Sequence, residues 1–82
     1  MKLKEMKHIC FDEGLQEQDL LISFLMKIIP KKEIDSQYYE YSINEGQLAE
    51  WVKRFKSGNP IKEMTKEEKK KFIAVIFHKL ED

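Results

Sequence analysis

The sequence predicts an all-α fold, a small bundle of three to four helices forming one domain over residues 1–82, and three features carry that prediction. The run LLISFLMKII from Leu20 to Ile29 holds eight apolar residues in ten and is closed by Pro30. Asn44 and Thr65 each stand three residues before a side chain that reaches back, Gln47 and Glu68, which is the spacing of a helix capping box. Behind each of these caps, apolar residues recur with the helical period.

The first element, Met1 to Phe11, carries two patterns. Leu3, Met6 and Cys10 follow helical spacing, whereas Ile9 and Phe11 alternate with His8 and Cys10 as a short strand would. The helical reading is preferred. Its alternative is a minor two-stranded pairing of residues 8–11 with 38–43.

A turn at Asp12 to Gly14 then leads into a helix over 16–29, with Glu17 and Asp19 in its first turns, where negative charge complements the helix dipole. Pro30 has no amide hydrogen to continue the ladder. Apolar residues surround nearly the whole circumference of this helix, so neighbours are expected to cover it on most sides. Residues 31–44 are ambiguous. Tyr39, Tyr41 and Ile43 alternate with Glu40 and Ser42 as in a strand, but a lone strand has no ladder, so the segment either pairs with 8–11 or forms a loop or helical turn with packed tyrosines.

From Asn44 a helix is predicted over 45–56, with Leu48, Trp51, Val52 and Phe55 on one stripe and a stop at Ser57-Gly58-Asn59-Pro60. Thr65 opens the last helix, 66–80. Its expected core stripe is Phe72, Ile73, Ile76, Phe77 and Leu80, widened by Val75; Lys69 stands on the same face one turn earlier, so the first turn extends beyond the core or Lys69 snorkels along it.

Composition narrows the classes of function. One cysteine, Cys10, forms no internal disulfide, so a reducing, cytoplasmic setting is expected, in a cell or in an infected host. The N-terminus is interrupted by charge every second or third position, unlike a signal peptide. The Leu20–Ile29 run, about 15 Å as a helix, is roughly half of what a bilayer core demands, so no membrane partner is expected. Fourteen lysines against one arginine, with nine isoleucines, fit the codon bias of a low-GC genome, its phages or its mobile elements.

The formal net charge is zero, which argues against a strongly basic polyanion binder, yet the charge is uneven. Residues 31–50 hold two lysines against five acids, and residues 51–82 hold nine bases against five. The basic end offers Lys53, Arg54, Lys56, Lys62, Lys66, Lys69 and Lys70 as contacts to an anion or a nucleic acid, with Lys66, Lys69 and Lys70 beside the amides of a helix N-terminus. Against that stand Glu67 and Glu68 among the lysines, the single arginine, and the lack of interleaved aromatic residues. The connection Ser57 to Thr65 is also too long for a helix-turn-helix.

His8, Cys10 and Asp12 lack the paired ligand spacing of a zinc site, and no metal or cofactor is expected. Cys10 lies between Ile9 and Phe11, where a buried inert thiol is a simpler reading than a nucleophile. Gly14, Gly46 and Gly58 form no phosphate-cradling loop. The sequence is therefore read as that of a non-enzymatic protein-interaction module that binds and regulates or inhibits a larger protein, with Tyr38, Glu40 and Tyr41 as its contact residues. A small nucleic-acid-binding regulator using the basic end is the first alternative. A self-associating protein, closing residual apolar surface as a homodimer, is the second.

Overall fold

A computed structural model describes residues 1–81, and side chains as far as residue 78. Its order is α1 (Leu3–Asp12), α2 (Gln18–Ile28), β1 (Lys31–Asp35), β2 (Tyr38–Tyr41), α3 (Glu45–Lys56) and α4 (Lys66–Glu81). The fold is mostly helical with one two-stranded antiparallel sheet.

Local chemistry sets most of the boundaries. The helical reading of the N-terminal segment holds, and α1 begins where the Glu5 carboxylate accepts the Lys2 amide at 3.2 Å. The chain turns away just past the helix at Gly14, whose φ of 71° lies in the left-handed region that glycine enters without steric cost. The Gly14 amide then donates to the Phe11 carbonyl and the Leu15 amide to the Cys10 carbonyl, closing a Schellman motif over two buried side chains, Cys10 and Leu15. At α3 the Asn44 side chain accepts from the Gln47 amide (2.8 Å) while Gln47 accepts from the Asn44 amide (2.9 Å). At α4 Thr65 and Glu68 exchange the same pair of bonds, at 3.2 and 2.9 Å. Both caps are those expected from the sequence.

The hairpin departs from expectation. Residues 8–11 belong to α1, so the proposed pairing of 8–11 with 38–43 does not form. β2 instead pairs with β1, its immediate neighbour, in the register Lys31↔Tyr41, Lys32↔Glu40, Glu33↔Tyr39 and Asp35↔Tyr38, with a bulge between Glu33 and Asp35. Asp35 is the reason the chain turns here. Its carboxylate accepts from the amides of Gln37 (2.8 Å) and Tyr38 (3.1 Å), an Asx-type turn that brings consecutive segments together at small loop-closure cost. The other edge of β2 is met by the chain start: the Tyr41 amide donates to the Met1 carbonyl (2.8 Å), and Lys2 bridges Glu40 in antiparallel fashion.

The core is centred on Phe24 of α2. Its ring lies edge-on to Trp51 (5.2 Å between centroids) and Phe72 (5.5 Å) and tilted against Phe55 (6.2 Å), so one aromatic cluster ties α2 to α3 and α4. Met6, Leu21, Leu25 and Leu48 are fully buried around it. The expectation that α2 is covered on most sides holds for Leu21, Ile22, Phe24 and Leu25, whereas Met26 is exposed and Leu20, Ile28 and Ile29 are half-buried.

The stripe expected on α4 is rotated. Phe72 and Val75 are buried and Ile76 half-buried, but Ile73 (50% exposed) and Phe77 (61%) face outward; Lys69 is exposed, in line with a first turn that extends beyond the core. Docking Phe72 on Phe24 and Phe55 carries the positions three and four residues later inward. Ile73 and Phe77 lie about 100° further round the helix and miss the interface. Leu80, also assigned to that stripe, lies outside the residues whose side chains are described.

Candidate interaction surface

The tyrosine segment becomes the outer part of the hairpin. Tyr38 is 51% exposed and Tyr39 41%, whereas Tyr41 is only 3% exposed. Tyr41 is therefore corrected from a surface contact to a core residue, because β2 reaches the protein interior at that end. Glu40 is half-buried, and its carboxylate lies 2.9 Å from the Met1 amino group, which also donates to the Tyr41 carbonyl at 2.7 Å. Among the three expected contact residues, Tyr38 stands most open to solvent.

Each exposed tyrosine ring carries a lysine. The Lys2 ammonium sits 5.5 Å from the centroid of Tyr38, and the Lys31 ammonium 4.6 Å from that of Tyr39. Between α1 and the hairpin runs a groove of about 560 Å³, lined by Lys2, Leu3, Lys4 and Lys7 from the N-terminal side and by Gln37, Tyr38, Tyr39 and Tyr41 from the other. Lys4 and Lys7 also border a second depression of about 630 Å³ that extends along α1 past His8 to Phe11, itself 68% exposed. Lys4, Lys7, His8 and Phe11 fall at i, i+3, i+4 and i+7, one outward stripe of the helix.

Sequence reasoning did not find the lysines of this surface. Lys2, Lys4 and Lys7 are visible in the sequence as a closely spaced basic group, but their place beside Tyr38 depends on the pairing of Met1 and Lys2 with β2.

The basic end is dispersed. Lys53, Arg54 and Lys62 border one groove of about 290 Å³, but Glu50 and Glu63 border it too. The Arg54 guanidinium stacks on Trp51 at 4.1 Å, and its Nη2 is buried with no hydrogen-bond partner, closed off from any ligand in the groove. Lys56 turns the other way and approaches Glu13 at 3.8 Å. Lys66, Lys69 and Lys70 are exposed on the first turns of α4, but the amide end they flank already holds Thr65 and the Glu68 carboxylate. The seven cations are thus divided among three parts of the surface.

His8 and Cys10 point apart on α1. The imidazole is 74% exposed and 3.3 Å from Asp12, while Cys10 is fully buried, and burial pushes its thiol pKa up, away from the thiolate a nucleophile needs. Among the described residues, no group of three His, Cys, Asp or Glu side chains is placed to hold a metal ion, and no helix is long and apolar enough to cross a membrane. Comparison with known proteins adds no relative: no family profile, curated protein or solved structure matches the chain.

Proposed function

We propose that this chain is a non-enzymatic interaction module, which binds a larger protein through the face formed by α1 and the hairpin and so regulates or blocks it. The observation that supports this reading is the exposure of Tyr38, Tyr39 and Phe11 along one continuous pair of grooves. Tyrosine and phenylalanine offer large, rigid contact area with few rotatable bonds, so little ordering entropy is lost when a partner covers them. The hairpin is held by its own ladder, by the Asp35 turn and by Met1 on its second edge, so the tyrosines are pre-positioned.

The test is affinity capture from nuclease-treated extract of the native host, comparing the wild-type chain with the double variant Tyr38→Ala, Tyr39→Ala. Circular dichroism verifies that both are folded. A protein retained by the wild type and weakened about tenfold or more by the variant sustains the reading. Equal retention by both, or the capture of no protein by either, overturns it.

A further inference from the structure

We infer that the groove between α1 and the hairpin takes a short acidic peptide segment of the partner, an assignment that rests on the protein-binding reading above. Its lining holds three lysines, Lys2, Lys4 and Lys7, and no carboxylate. Among the described residues none of the three is engaged in an ion pair, as holds for the lysines other than Lys56, but only in this groove do three of them line one concavity with no carboxylate beside them. The chain as a whole is neutral, so three lysines without an ion pair in one groove are a local excess. A partner carboxylate entering there gains charge-assisted hydrogen bonds and breaks no existing ion pair.

The phenols sharpen the match. Tyr38 and Tyr39 have a ring face already met by the ammonium groups of Lys2 and Lys31, which leaves their hydroxyls and ring edges to contact an incoming chain. Carboxylates can accept from those hydroxyls and from the side-chain NH₂ of Gln37. The neighbouring depression, which shares Lys4 and Lys7 with the groove, offers Phe11 and Ile9 as apolar surface for a hydrophobic residue in the same segment, while Glu5 and Glu45 on its lining favour a neutral residue there over an acidic one.

A single-stranded nucleic acid fits less well. Base stacking needs open ring faces, and each exposed tyrosine already carries a lysine over one of its own. A uniformly charged strand leaving the groove along the hairpin also meets Glu33 and Asp35 of β1, whereas a peptide alternates acidic with neutral residues.

The experiment is amide NMR of the isotope-labelled full chain at low salt, titrated with a capped synthetic peptide of alternating glutamate and leucine. An oligothymidylate of equal length and a peptide of alternating lysine and leucine are titrated in parallel. The acidic peptide is expected to shift the amides of Lys2, Lys4, Lys7 and Gln37 to Tyr39, with affinity falling as salt rises. The variant Lys4→Gln, Lys7→Gln is expected to weaken it roughly fivefold without altering the fold.

The assignment is overturned if the oligonucleotide moves these amides more strongly than the peptide. Shifts confined to the Lys53 and Lys62 groove, equal response to the basic peptide, or unchanged affinity in the lysine variant also overturn it. If the acidic peptide leaves the groove unmoved while the host partner still depends on Tyr38 and Tyr39, only the acidic segment falls. If the partner ignores those tyrosines as well, the protein-binding reading falls with it.

Discussion

The aromatic cluster around Phe24 and the tyrosine hairpin use the same kind of residue to opposite ends. In the cluster, Phe72 meets Phe24 and Phe55 edge to face and Phe24 lies tilted against Phe55, inside an interior where no buried polar or charged residue is found among the described residues. In the hairpin, Tyr38 and Tyr39 remain half in water and take lysines as neighbours instead of other rings. The hydroxyl and the strand account for the difference. A phenol carries a group that keeps a favourable place in water, and a two-stranded hairpin with one strand exposed at all five positions offers little interior to enter. Stability is thereby concentrated in one region and accessible aromatic surface in another, so substitutions are expected to separate the two.

The hardest test of that separation is Phe24→Ala. It removes the ring shared by three helices and is expected to cost about 3–5 kcal/mol, enough to leave a chain of this size largely unfolded in thermal or urea denaturation. A stable, cooperative Phe24→Ala variant would show that the cluster is not where folding free energy resides. Gly14→Ala is expected to cost about 1 kcal/mol. The reason is conformational: no atom lies within 4 Å of the added methyl, but φ at 71° is strained for any side chain. A midpoint unchanged in urea would mean that the turn after α1 relaxes freely. The smallest effect is expected at the hairpin, where a double-mutant cycle of Lys31→Ala and Tyr39→Ala is expected to give a coupling of about 0.5 kcal/mol. A coupling several times larger would mean that the lysine on the ring is structural, and that the hairpin contributes to stability much as the cluster does.

How far each region can be read from the sequence follows the range of its interactions. The capping pairs Asn44 with Gln47 and Thr65 with Glu68 span three residues, so α3 and α4 begin where their sequences indicate. The facing of α4 is less legible. A helical wheel ranks Ile73 and Phe77 as highly as Val75, and only the docking of Phe72 against Phe24, a contact between distant segments, chooses between them. Within the candidate site, Tyr39 and Tyr41 follow one alternation with Glu40 and Ser42, and only the position of Tyr41 at the buried end of β2 separates them. The lysines beside Tyr38 are brought there by backbone bonds between Met1 and Tyr41, a separation over which sequence periodicity carries no information.

The outer edge of β1 bears on how this protein behaves when crowded. Among the described residues its backbone groups face no second strand, the usual starting point for runaway strand addition between molecules. Lys31, Lys32, Glu33 and Asp35 along that edge, and the bulge that skips Ile34, make an incoming copy meet charge and a broken register. A concentrated solution is thus guarded against fibrils by the very strand that displays Ile34 to water.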